Sequence, residues 1–204
     1  MYTELLTFGD FIKLDYYIEC HKLLKEIEPF EWHKYNPRKP IPRYGLSVTS
    51  LNGTRDGIDL DSLYEYNKEN GTDYTELDFK TKTDVYHASE ETRKAVAPFD
   101  AHISRTHFLK LEAGGYFPAH RDWRHLEQQT SFRVLVPIKN CNPQDMYFMY
   151  EGKVLHFQHG FPYFLNTNKE HCLFSLSGNS IMLVLNVECN KTTLNTVIER
   201  MASR

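Results

Sequence analysis

Between residues 104 and 188 the chain is cut into short apolar segments by turn signals, and this punctuation limits the fold more than any other feature. The candidate strands are 104–112, 115–121, 131–138, 146–150, 153–158, 161–166, 171–177 and 180–188. Gly114-Gly115, the stretch 140–143, Glu151-Gly152, His159-Gly160 and Gly178-Asn179 separate many of them. Many short strands at close, regular spacing predict a sandwich or a jelly roll.

The first hundred residues differ in character. Leu5, Phe8, Phe11, Ile12, Leu14, Ile18, Leu23, Leu24 and Ile27 recur at mixed three- and four-residue steps, which suits helix up to Pro29. Residues 43–50 read as a strand running into the turn Asn52-Gly53. From 56 to 86 the chain is polar, tyrosine-rich and weakly periodic, so loops with short elements are expected there. Ser89 before Glu90 and Glu91 marks a helix start, and Pro98 its end. The expected class is mainly β with N-terminal helices. The expected organisation is one domain over 1–204, with a helical and loop layer in 1–100 and the β core in 101–190.

The chain has 204 residues, enough for a proper core, and 41% of them are hydrophobic. The formal charge of -3 and the pI near 6.4 imply no broad affinity for nucleic acid or anionic membrane. No stretch approaches the roughly 18 apolar residues of a membrane span. Cys20, Cys141, Cys172 and Cys189 show no Cys-x-x-Cys spacing and read as reduced thiols. The segment MYTELLTFGDF carries no secretion pattern, so a cytoplasmic location is expected.

The chemistry concentrates at His120-Arg121-Asp122 and at the distant His171. On an extended segment a His-x-Asp pair places imidazole and carboxylate on one side of the backbone. A second imidazole completes the two-His, one-carboxylate face of non-haem Fe(II) oxygenases, which leaves open metal positions. The competing reading makes His171 a turn histidine at a strand start. Other histidine sets are weaker. His125 and Glu127 fall in a polar connection, and His156 and His159, three apart, face opposite sides of a strand. The tripeptide His120-Arg121-Asp122 also matches a kinase catalytic loop, but the Gly-rich loop, strand lysine and Asp-Phe-Gly are missing. A zinc site of two His and a carboxylate stays open.

Arg133 interrupts the otherwise apolar run 131–138. An arginine in such a strand either snorkels from an edge or faces a pocket and binds a carboxylate in fork geometry.

These residues resemble the Fe(II)- and 2-oxoglutarate-dependent dioxygenases, most of all the aspartyl/asparaginyl β-hydroxylase and proline hydroxylase type. LEAGGYFPAHRD carries the likeness at 111–122, Phe132-Arg133-Val134-Leu135-Val136-Pro137 in the next strand, and Lys153-Val154-Leu155 through Phe164-Leu165-Asn166-Thr167 to Glu170-His171 thereafter. It covers 104–188 and leaves residues 1–100 unexplained. The resemblance implies a double-stranded β-helix (a cupin-like jelly roll), with His120, Asp122 and His171 holding Fe(II) and 2-oxoglutarate as cosubstrate. It also implies O2 as oxidant and a small-molecule or peptide substrate.

One departure stands out. The family commonly carries an arginine about ten residues after the distal histidine, for the far carboxylate of 2-oxoglutarate. Here that region reads Gly178-Asn179-Ser180-Ile181. Arg133 is the expected replacement, helped by Ser175, Ser180, Tyr116 or His107. Trp123 and Arg124 are expected at the substrate entrance. The alternatives are a cupin-type zinc or manganese hydrolase or isomerase, and a non-catalytic binding module.

Overall fold

A computed structural model of the chain describes residues 2–122 and 129–202. Numbered in chain order, its strands are β1 (Phe11–Lys13), β2 (His33–Lys34), β3 (Arg43–Ser47), β4 (Thr49–Ser50), β5 (Thr81–Lys82), β6 (Ile103–Leu111), β7 (Tyr116–His120), β8 (Ser131–Lys139), β9 (Met146–Tyr150), β10 (Lys153–Val154), β11 (Tyr163–Leu165), β12 (His171–Ser175) and β13 (Ser180–Glu188). The helices are α1 (Tyr2–Leu5), α2 (Cys20–Ile27), α3 (Leu63–Asn70), α4 (Asp84–Ala88), α5 (Glu90–Val96) and α6 (Lys191–Glu199).

Strands β6 to β13 divide between two antiparallel sheets. The larger runs β1-β11-β8-β13-β6-β3-β2 and the smaller β10-β9-β12-β7. This is the jelly roll, or double-stranded β-helix, extended on its larger sheet by strands from the N-terminal half.

Alternation along the strands builds two cores. On β8, Phe132, Val134, Val136 and Ile138 face a layer that includes Leu5, Leu23, Ile27, Val96, Leu194 and Val197 from the helices. Leu135 and, on β13, Met182 face the space between the sheets. Burying each such side chain contributes about 1.5–3 kcal/mol. Because the larger sheet is covered on both sides, β8 reads as a nearly unbroken apolar run.

The predicted strands all appear except that 153–158 is a strand only at 153–154. Beyond it Asn142 clamps the chain, accepting from Phe157 N at 2.7 Å and donating to Phe157 O at 3.0 Å. The predicted α5 start also holds, with Ser89 Oγ accepting from Thr92 N.

Two expectations are corrected. The first 30 residues are not continuous helix, because β1 interrupts them and pairs with β11. Phe11 stacks on Tyr163 at 4.8 Å between ring centres, while Ile12 enters the helix-side core. Three residues burying alternate sides carry too little period to show against a helical background. The helical layer is also not purely N-terminal. α6, capped by Asn190 accepting from Thr193 N, packs into it.

Candidate metal centre

Strand register brings the two histidines together. His171, first residue of β12, pairs with His120, last residue of β7. Their ring centres lie 4.3 Å apart. The imidazoles are oriented in the same way. His120 Nδ1 lies 2.7 Å from Pro118 O and His171 Nδ1 lies 3.0 Å from Lys169 O. A carbonyl only accepts, so each Nδ1 carries the hydrogen. Metal-binding histidines typically donate their other ring N–H in this way.

Asp122 lies two residues beyond His120, pinned by its backbone N donating to Thr167 O at 2.9 Å. Its Oδ1 is 3.5 Å from His120 Nε2 and 3.9 Å from His171 Nε2. One donor atom from each of the three residues lies within 4.8 Å of the others. Metal bonds of about 2.0–2.2 Å set neighbouring donors roughly 3.0–3.4 Å apart, so small side-chain shifts close the three around one ion. Two neutral nitrogens and one carboxylate fit a divalent first-row metal, and three protein ligands leave positions open.

The second oxygen of Asp122 is held from the protein side. Arg133 Nε donates to Asp122 Oδ2 at 3.2 Å, its Nη1 to Asn186 Oδ1, and its Nη2 to Glu76 Oε1 at 2.8 Å. Glu76 Oε1 also accepts from Arg105 Nη1 at 2.9 Å. Charges therefore alternate along Asp122, Arg133, Glu76 and Arg105. Burial would raise both carboxyl pKa values, but the arginines outweigh it. Asp122 sits well below the usual range, aided by both histidines, and Glu76 is pulled down to about 2. The hydrogen bond to Asp122 raises the His120 pKa in the metal-free centre, where a bound ion takes the proton's place.

Arg105 reaches this chain of charges through a backbone irregularity. Val184 pairs with His107 and Asn186 with Ser104, so β6 carries one extra residue here. Arg105 has φ 28°, in the left-handed region. Bulges of this kind re-aim a side chain next to a site.

The cavity behind the three ligands is walled by Leu109, Leu135, Phe148, Leu165, Leu173 and Met182. Arg133 and His107 both line it. Burial, then the nearby Arg105 and Arg133, push His107 down to about 3, so it is neutral.

The remaining predicted site residues are placed elsewhere. Tyr116 faces outward and is 41% exposed, because its neighbour Phe117 takes the inward position. Ser175 and Ser180 bond to each other at 3.1 Å beside the turn at Gly178 and do not line the cavity. Arg133 faces the cavity as expected, yet each of its nitrogens is engaged by Asp122, Asn186 or Glu76. Trp123 and Arg124 lie outside the described residues. Sequence reasoning missed Tyr35, Glu76, Arg105, Phe148 and Thr167, which also line the cavity. Glu76 belongs to a loop capping box with Thr75 and Asp78, a pattern that says nothing of a metal.

No family model matches the sequence, and no curated protein matches it either. Solved structures share the fold. An oxidoreductase of the 2OG-Fe(II) oxygenase family from Burkholderia pseudomallei aligns over 93% of this chain and 89% of its own, with TM-score 0.50 and 12% identity. A prolyl-4-hydroxylase from Pseudomonas putida aligns over 92% and 96%, with TM-score 0.49 and 10% identity. The viral collagen prolyl hydroxylase of Paramecium Bursaria Chlorella virus-1 aligns over 90% and 97%, with TM-score 0.49 and 11% identity. At these identities the likeness is one of fold. No helix among the described residues is long and apolar enough to cross a membrane.

Proposed function

We propose that the chain is an Fe(II)- and 2-oxoglutarate-dependent dioxygenase that hydroxylates a small molecule, such as an amino acid, or a peptide side chain. One observation carries the reading: His120 Nε2, His171 Nε2 and Asp122 Oδ1 converge in the wall of one cavity, with both Nδ1 atoms tied back to carbonyls. The Burkholderia neighbour, an oxygenase by its description, supports iron over zinc for this fold. The motif resemblance to the aspartyl/asparaginyl β-hydroxylase type supports an amino-acid or peptide target. The four free cysteines suit a reducing, cytoplasmic setting.

When bound, Fe(II) and 2-oxoglutarate supply the oxidising power: one oxygen atom of O2 enters the substrate C–H bond, and 2-oxoglutarate loses CO2 to become succinate. The chain's own residues do the rest. The two Nδ1 hydrogen bonds fix the imidazole planes, and Arg133 holds Asp122 so that one oxygen faces the histidines. Leu109, Leu135, Phe148, Leu165 and Met182 keep water from the inner cavity. His107 contributes a neutral, buried imidazole to the same wall.

The test is succinate release from 2-oxoglutarate without added substrate. Fe(II)-dependent release is expected in the wild type, and none in His120→Ala or Asp122→Ala. Tightly held zinc without succinate would point instead to a metal hydrolase or isomerase. No stoichiometric metal at all would point to a binding module.

A further inference from the structure

Among the described residues, Arg43 on β3 is a buried cation with no carboxylate partner. It is 5% exposed, and its Nε has no hydrogen-bond partner. Nη1 donates to Tyr116 O at 3.2 Å. Its neighbours include Tyr35 and Phe117, whose rings it faces, and no carboxylate among the described residues pairs with it. Of the carboxylates lining the same cleft, Asp61 is gripped in fork geometry by Arg38, at 3.0 and 2.9 Å, and Glu76 accepts from Arg105 and Arg133. Leaving a desolvated guanidinium unpaired is costly, and structures rarely keep one without use.

Its position is informative. The guanidinium lies over the Phe117 ring at 4.2 Å, and Phe117 in turn stacks near His120 at 6.4 Å. Arg43 also lines an outer cleft with Tyr35, Tyr64, Phe117, Pro118 and His120. That cleft shares Tyr35, Glu76, Arg105, Phe117 and His120 with the metal cavity. The two spaces therefore adjoin along these side chains. Arg105, which lines both spaces, and Arg133 of the metal cavity are each engaged by Glu76, so Arg43 differs from both in having no carboxylate partner among the described residues.

We propose that Arg43 anchors a carboxylate group of a small organic acid that reaches the metal centre through this outer cleft. A planar fork backed by aromatic faces suits a carboxylate better than a point charge. The acid has two sources, the far carboxylate of 2-oxoglutarate or the carboxylate of the substrate. The choice between them rests on the oxygenase reading, whereas the anion site itself does not.

Calorimetric titration of the Mn(II)-loaded protein tests it, with 2-oxoglutarate, 2-oxobutyrate (which lacks the far carboxylate), glutarate and a panel of free amino acids. Wild type is compared with Arg43→Met and Arg43→Lys. If 2-oxoglutarate binding falls at least tenfold in Arg43→Met while 2-oxobutyrate binding holds, Arg43 takes the cosubstrate. If 2-oxoglutarate is unaffected but an amino acid or glutarate weakens at least tenfold, Arg43 takes the substrate. Arg43→Lys keeps the stem and the charge but loses the fork, and an intermediate loss is expected. Arg43→Met is also expected to melt no lower than wild type when ligand-free, since it removes an unpaired buried charge. A wild type that binds the amino acids or glutarate but not 2-oxoglutarate sinks the oxygenase reading and keeps the anion site. A wild type that binds none of these acids, or variants that bind all of them within twofold, overturns the proposal, as does a lower melting point with unchanged acid binding.

Discussion

The two oxygens of Asp122 have different roles: Oδ1 faces the imidazoles, and Oδ2 is held by Arg133. Arg133 thus positions the metal ligand, and three of its five N–H groups are used by Asp122, Asn186 and Glu76. Arg133→Met with Glu76→Gln removes one cation and one anion together, so the row of charges keeps its net charge, although Asp122 and Arg105 each lose a charged partner. This double variant is expected to fold and to bind Mn(II) about 10–100-fold more weakly, the usual effect of losing a group that orients a ligand. Unchanged Mn(II) affinity would mean that Asp122 needs no such support. Residue roles are legible in the sequence only in part. His120, Asp122 and His171 stand out because their types and spacing match a known chemistry. Arg133 stands out because a charge in an apolar strand demands a partner. That the partner is Asp122, together with Glu76 from a distant loop, is a matter of tertiary packing that no local pattern encodes.

At the scale of elements, the pairing of β7 with β12 builds the site, since it sets His120 opposite His171. The strands of the jelly roll are readable from their turn signals, because each closes on itself within a few residues. β1 is not, and neither is the bulge at Arg105, which depends on how β6 meets β13. The attachment of the N-terminal segment hinges on Gly160. Ile18 N donates to Gly160 O at 2.8 Å, and Gly160 has φ +81°. A Cβ there would lie 2.5 Å from Ile18 O and from Tyr17 Cε2. The left-handed backbone alone costs a non-glycine residue about 1–3 kcal/mol, and the backbone clash adds to it. Gly160→Ala is therefore expected to lower the unfolding free energy by at least that amount, read as a lower urea midpoint at unchanged slope. A variant within about 0.5 kcal/mol of wild type would show that the contact yields freely.

Over the whole molecule, two sheets and a helical layer place the three candidate ligands in a cavity lined by apolar side chains and by the charges of Glu76, Arg105 and Arg133. The larger sheet's double burial explains why β8 and β13 are nearly unbroken apolar runs, which helps make the fold class legible from the residue pattern. The first hundred residues are the hardest to read. They contribute Tyr35, Arg43 and Glu76 to the site region from loops and an outer strand, where neither periodicity nor motif marks a functional side chain. Everything proposed about catalysis depends on one divalent ion at these three ligands. The most direct test is Mn(II) titration of the metal-stripped protein, read by calorimetry, beside His120→Ala, Asp122→Ala and His171→Ala. One ion per chain in the wild type and no stoichiometric binding in any variant is the predicted result. Full binding in His171→Ala or Asp122→Ala, at wild-type affinity, would contradict it.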